Sequence, residues 1–258
     1  MKWHQLTEDT KLDENNVWDF IQKNCQPYLK ENPDWMTRPL YRGMSYRGDI
    51  QIKNIRSDRQ PSDSNRFLHQ LYDEAFMENG YALNRTNSIF CTGDREMAYK
   101  YGEAYVIFPI GNFAFVYSPT VKDLYLFSKT FYRRGFLKFD NENEKILTTD
   151  DLTEFLRNKS SADKLRDGPF SLRELMAWLN ENVYTFGTLM AHTSSDLEEL
   201  FDRLGFDRHY FYQKFGELYS NDSLDKAIRS NNEIMVSGSK YLAIQVDTFN
   251  HMKNNGAF

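Results

Sequence analysis

Apolar residues recur every three to four positions near the start of the chain, where Val17, Ile21, Cys25 and the Tyr28/Leu29 pair share one face. The spacing predicts a helix over 15–32, capped by Asp13 or Asn15 and kinked or ended early by Pro27. Leu40 and Tyr41 then lead into Arg42 and Gly43, a short strand that ends on an arginine beside a glycine. A second helix is expected from a Ser64 cap to about Glu78, burying Phe67, Leu68, Leu71, Ala75 and Phe76, with Asn79-Gly80 ending it. Ser88 to Thr92 reads as a strand, Gly93 as its break, and Asp94 as the cap of a short helix through Tyr101. The run "EAYVIFPIGNFAFVYSP" (103–119) reads as two strands joined at Gly111-Asn112, with Pro109 at an edge or a bulge.

From residue 122 the pattern turns helical. "DDLTEFLRN" has helical character, Ser171 with Glu174 and Ser195 with Glu198 stand at capping-box spacing, and "DRHYFYQKFGELY" and "SLDKAIRS" continue the trend. Two apolar runs return in "NNEIMVSGSKYLAI" (231–244), which reads as a strand, a Ser237-Gly238-Ser239 turn and a second strand. Glu233 stands where the first of these strands begins. Acids are poor strand formers, so Glu233 either faces solvent or is held there for a purpose. The expectation is an α+β chain whose β-rich core joins 1–121 to 224–258, with 122–223 as an inserted helical subdomain.

Composition narrows the choice of chemistry. Of 258 residues, 40% are hydrophobic and 16% aromatic, ample for a core, and a net charge of −5 argues against a general nucleic-acid coat or an anionic membrane as partner. Two cysteines without a CxxC, and five scattered histidines, predict neither a disulfide framework nor a metal site. A polar, acidic N-terminus and no run of membrane-span length make a cytoplasmic protein the expectation. Arg42 suits a forked contact to phosphate or ribose, for which Arg47 of the second "YRG" competes. Arg56, Asp58, Arg59 and Asp63 read as a salt-bridged loop or an arm over a polyanion. Lys129 to Phe139 interleaves Lys129, Arg133, Arg134 and Lys138 with Phe131, Tyr132 and Phe136, either a contact for single-stranded nucleic acid or an amphipathic edge against the core.

Taken in order, "LYRG", "NSIFCTGDREMAYKYG" and "NNEIMVSG" resemble the ADP-ribosyltransferase superfamily, in particular its arginine-Ser-Glu branch and its phage-encoded and toxin-like members. That branch carries an Arg on one strand, Ser-Thr-Ser on the next, and a Glu opening a later strand. Arg42 matches the first, Cys91-Thr92-Gly93 the second with only the central Thr kept, and Glu233 the third. The resemblance implies a split, curved β-sheet core that uses NAD+ as substrate, without a metal, and moves ADP-ribose to a macromolecule. It implies Glu233, Arg42 and Thr92 as catalytic residues. Arg42, Gly43, Ser88, Cys91, Thr92, and Tyr99 or Tyr101 would line the NAD+ site, one of the tyrosines stacking on nicotinamide.

The chemistry accounts for these residue types. Breaking the nicotinamide–ribose bond develops positive charge on the sugar, and a carboxylate on a ribose hydroxyl stabilises it. Arginine-modifying members carry a second Glu two residues earlier. Here Asn231 stands there; it orients an acceptor but cannot deprotonate one, which disfavours arginine as acceptor. A protein side chain and an RNA or DNA base both remain open, as do the host cytoplasm for a phage-encoded chain and an inhibitory protein partner. The alternatives are NAD+ hydrolysis and a catalytically silent binding module.

Overall fold

The computed structural model describes residues 12–59, 66–128, 130–131, 133–144, 171–181 and 197–256. The chain divides into two compact units, one of Met1–Ser57, Asn87–Pro119 and Ser220–Phe258 and the other of Asp58–Thr86 and Thr120–Tyr219. Among the described residues the first carries the five strands and the second is helical. The architecture is mixed α+β.

The sheet unit begins with α1 (Val17–Asn24) and α2 (Gln26–Glu31), separated at Cys25 with Pro27 in the first turn of α2. The single helix expected over 15–32 is thus broken where the proline removes a helical donor. Strands β1 (Tyr41–Met44), β2 (Ile50–Asn54), β3 (Ile89–Cys91), β4 (Glu103–Tyr117) and β5 (Ile234–Gln245) form one antiparallel sheet in the order β1-β4-β5-β2. β3 also pairs with β5. One edge of β5 is therefore shared, its start by β3 (Cys91 opposite Ile234) and its end by β2 (Ile50 opposite Ile244). Val106, Ile107, Phe108, Leu242, Ala243 and Ile244 are fully buried, and Tyr28, Trp35 and Phe249 (of α10, Val246–Asn254) pack edge-on or tilted against Phe108.

Two turns expected from the sequence are corrected. Residues 103–117 are one strand, and so are 234–245. Gly111 and Asn112 form a bulge between Ile110 (opposite Lys240) and Phe113 (opposite Gly238), with Gly111 at φ +70°. The extra residue bends both strands, and glycine takes the left-handed backbone it needs. Pro109 lies in a central strand yet breaks no bond. The Ile107 N–H points to the β1 side, reaching Leu40 O at 2.8 Å, so the nitrogen of Pro109 faces the same way, beyond the start of β1.

The helical unit contains α3 (Arg66–Glu78), α5 (Leu124–Ser128), α6 (Leu172–Glu181), α7 (Leu197–Arg203) and α8 (Arg208–Gly216), while α4 (Arg95–Tyr99) and α9 (Leu224–Ser230) belong to the sheet unit. The helix α3, expected with the N-terminal half of the core, clusters instead with the helical block. Rings fill this unit: Tyr72 stacks on Phe215 at 5.5 Å, and Phe131 meets Phe136 at 5.2 Å and Phe211 at 5.6 Å. Ser171 and Glu174 form the expected capping box. Ser64, 150–158 and Ser195 lie outside the described residues. The aromatic side of the 129–139 segment is core: Phe131 and Phe139 are buried, Arg134 lies over the Phe127 ring at 4.8 Å, and Lys138 pairs with Asp207 at 2.9 Å. Its Lys129 and Tyr132 lie outside the described residues.

Candidate active site

Three expected site residues stand beside β3, the shortest strand among the described residues, with Thr92 and Glu233 on one cross-strand row and Arg42 on the next, that of Cys91. On one side Cys91 pairs with Ile234, so Thr92 and Glu233 come next in register. On the other side Tyr41 and Thr92 exchange both main-chain bonds, at 2.8 and 2.9 Å. Arg42, one residue into β1, turns its guanidinium back to β3, where Nη1 donates to the Phe90 carbonyl at 2.9 Å. Its Nε is buried with no hydrogen-bond partner. The Tyr241 hydroxyl, which donates to Met44 Sδ at 3.4 Å, feels the charge of this guanidinium. Burial pushes the acidity of that phenol down, and the Arg42 charge pulls the other way. A buried guanidinium N–H without an acceptor is costly, and an anion that supplied one would be bound strongly.

The Glu233 position is built by its neighbours. Helix α9, capped by Ser223, ends on Asn231 in the left-handed conformation (φ 56°, ψ 15°), which turns the chain into β5 within two residues. The Thr92 hydroxyl donates to Asn231 O at 3.2 Å and accepts the Asp94 N–H at 3.1 Å. Asn232 donates through Nδ2 to Ser118 O at 2.7 Å. With Ile234 locked between β3 and β4, the half-buried Glu233 sits on a backbone held on each side. Thr92 accordingly fixes the backbone that carries Glu233. Such fixing is what a pre-organised charge requires.

The two glycines in the motifs serve packing. A β-carbon at Gly93 would stand 1.8 Å from Ile228 O and 3.0 Å from Asn231 Oδ1. A serine at this position cannot fit. At Gly43 a β-carbon would stand 2.0 Å from Ala98 O and 2.8 Å from the Tyr101 β-carbon. The space beside Gly43 therefore holds the end of α4, whose start Asp94 caps by accepting the Glu96 and Met97 N–H groups.

The remaining expected residues divide into two groups. Cys91 is buried, and burial pushes its thiol up to about 12 despite the opposing Arg42 charge. It is a packed thiol, not a nucleophile at neutral pH. Ser88 is likewise buried, ahead of β3. Tyr99 and Tyr101 are both exposed, and Tyr101 adjoins Gly43 and hence the Arg42 strand. Asn231 is exposed at the end of α9. Sequence reasoning missed Tyr241, Asn232 and Lys53. The alternation in "IQIKN" was the available signal for Lys53, since it puts Gln51 and Lys53 on the opposite face from Ile50 and Ile52.

No protein-family profile, no curated protein and no solved structure matches this chain.

Proposed function

We propose that the chain is an NAD+-dependent ADP-ribosyltransferase that moves ADP-ribose to a macromolecular acceptor other than arginine. The observation that carries this reading is that Arg42, Thr92 and Glu233, distant from one another in sequence, stand on the strand segments beside and just after β3. The shared edge of β5, with β3 and β2 end to end along it, fits the split sheet implied by the same resemblance.

In the proposed reaction the nicotinamide–ribose bond breaks and its electron pair leaves with nicotinamide. Glu233 accepts a hydrogen bond from a ribose hydroxyl and stabilises the positive charge developing on the sugar. Arg42 takes a donor phosphate oxygen, and Tyr99 or Tyr101 stacks on the leaving ring. The acceptor's lone pair forms the new bond to the ribose carbon, and its proton passes to solvent, since Asn231 cannot take it.

Labelled NAD+ offered with separate pools of protein, RNA and DNA tests this. Label should enter one pool with release of nicotinamide, and Glu233→Gln should lower the rate about 10²–10³-fold. Nicotinamide release without labelling of any pool would replace transfer by hydrolysis. A Glu233→Gln variant as active as the wild type would overturn the reading.

A further inference from the structure

Arg42 does not stand alone on its face of the sheet. In the antiparallel register Arg42 is opposite Tyr105, and Tyr105 is opposite Gln245. Two-residue steps along β5 then lead from Gln245 through Ala243 to Tyr241, which is opposite Lys53 of β2. Arg42, Tyr241 and Lys53 therefore share one face, and Tyr241, whose phenol feels the Arg42 charge, is the cross-strand neighbour of Lys53.

The charges are unusually arranged. Lys53 is only partly exposed, and burial first, then the charges of two further cations, Arg47 and Arg42, hold its ammonium below the ordinary lysine range. Among the described residues, none of Arg42, Arg47 and Lys53 makes an ion pair, although the chain is acidic overall and many other cations are paired. Three converging cations without a carboxylate repel one another, and that cost is recovered only when an anion binds. The loop that carries Arg47 is tied down, with the Gly48 carbonyl accepting from Tyr105 Oη at 3.0 Å and from Gln51 Nε2 at 3.2 Å.

We infer that Arg42, Arg47 and Lys53 form one binding site for the diphosphate of a nucleotide, with Lys53 as its second buried-side cation and Arg47 as its outer one. This deepens the reading above and rests on it for the identity of the nucleotide. A diphosphate suits the arrangement because it is compact and carries two adjacent anionic groups, for which the Arg42 Nε and the Lys53 ammonium are separate donors.

Calorimetric titration with pyrophosphate, ADP and a single-stranded oligonucleotide tests the site in the full chain, comparing wild type with Lys53→Gln and Lys53→Arg. The Lys53 side chain makes no hydrogen bond or ion pair among the described residues, so loss of its charge should leave the fold intact, as circular dichroism would check. Pyrophosphate and ADP should bind the wild type, Lys53→Gln should weaken both roughly tenfold or more, and Lys53→Arg should restore most of the loss. Unchanged binding of pyrophosphate and ADP by Lys53→Gln, or no binding of either by the wild type, overturns the inference. Oligonucleotide binding that needs Lys53 while ADP binding does not would also overturn it, in favour of a polynucleotide track. Lys53-dependent pyrophosphate binding in a protein that releases no nicotinamide from NAD+ would support the site and sink the NAD+ reading. NAD+ turnover indifferent to Lys53 would do the reverse.

Discussion

The sheet unit and the helical unit are packed by different means. In the sheet unit the tight places are backbone against backbone: Gly93 on the Ile228 carbonyl, Gly43 on the Ala98 carbonyl, Gly102 on Met44. In the helical unit they are ring against ring, with Phe76, Phe215 and Tyr219 within 4.8–5.0 Å of one another. Where a helical-unit glycine is crowded, at Gly216, the nearest atoms belong to the Asn79 side chain. Main chain fixed in a helix or a sheet cannot step aside, whereas a side chain can change rotamer. The candidate residues stand in the unit with the less forgiving contacts. Pre-organised chemistry needs such contacts.

The pair of glycines offers the sharpest way to break this contrast. Gly93→Ala should cost more than about 4 kcal/mol, because a methyl cannot enter beside the Ile228 carbonyl without moving α9 or β3. Gly216→Ala should stay within about 1 kcal/mol, the Asn79 bond to Tyr212 O being lost while helix propensity is gained. Urea midpoints for the two variants decide the matter; equal shifts would abolish the distinction.

Next in size is Phe215→Ala, which should cost about 3 kcal/mol. Its ring touches Tyr72, Phe76, Phe211 and Tyr219, and these neighbours can partly close the gap. A loss as large as that of Gly93→Ala would mean that the rings are as rigid as the sheet backbone.

The smallest effect lies in the sheet unit's surface. Asp222 accepts from Lys226, Ser220 and Tyr117, and these contacts lower its carboxyl to about 2. The folded value is depressed, so the contribution is present above the ordinary carboxylate range and is lost as pH falls toward 2. The melting-temperature gap between wild type and Asp222→Asn should accordingly narrow between about pH 4 and pH 2. A gap that stayed constant over this window would show that Asp222 acts by shape and not by charge.

Local signals in the sequence carried far and then stopped. The Asp94 cap, the Ser171–Glu174 box and the break before Pro27 were legible because each is settled within a few residues. Gly111-Asn112 and Ser237-Gly238-Ser239 were misread as turns because the same residues serve a bulge, and only their mutual register across two strands tells the two apart. Arg42 and Glu233 could be singled out by residue type and neighbours. That Gly93 must lack a side chain was not legible, since the obstacle, Ile228, is distant in sequence and adjacent only in the fold. The aromatics of 129–139 suited a binding surface as well as a core, and burial alone separates the two.

Tyr117 and Ser220 exchange both of their main-chain hydrogen bonds, at 2.8 and 2.9 Å. The chain leaves the sheet unit just after the first and returns at the second, so this small clasp closes the gap from the sheet side. Whatever is threaded between 119 and 220 adds only a closure entropy that grows with the logarithm of its length. Length changes in that stretch that spare its packing on α3 thus leave the entry into β5, with Glu233 on it, in alignment.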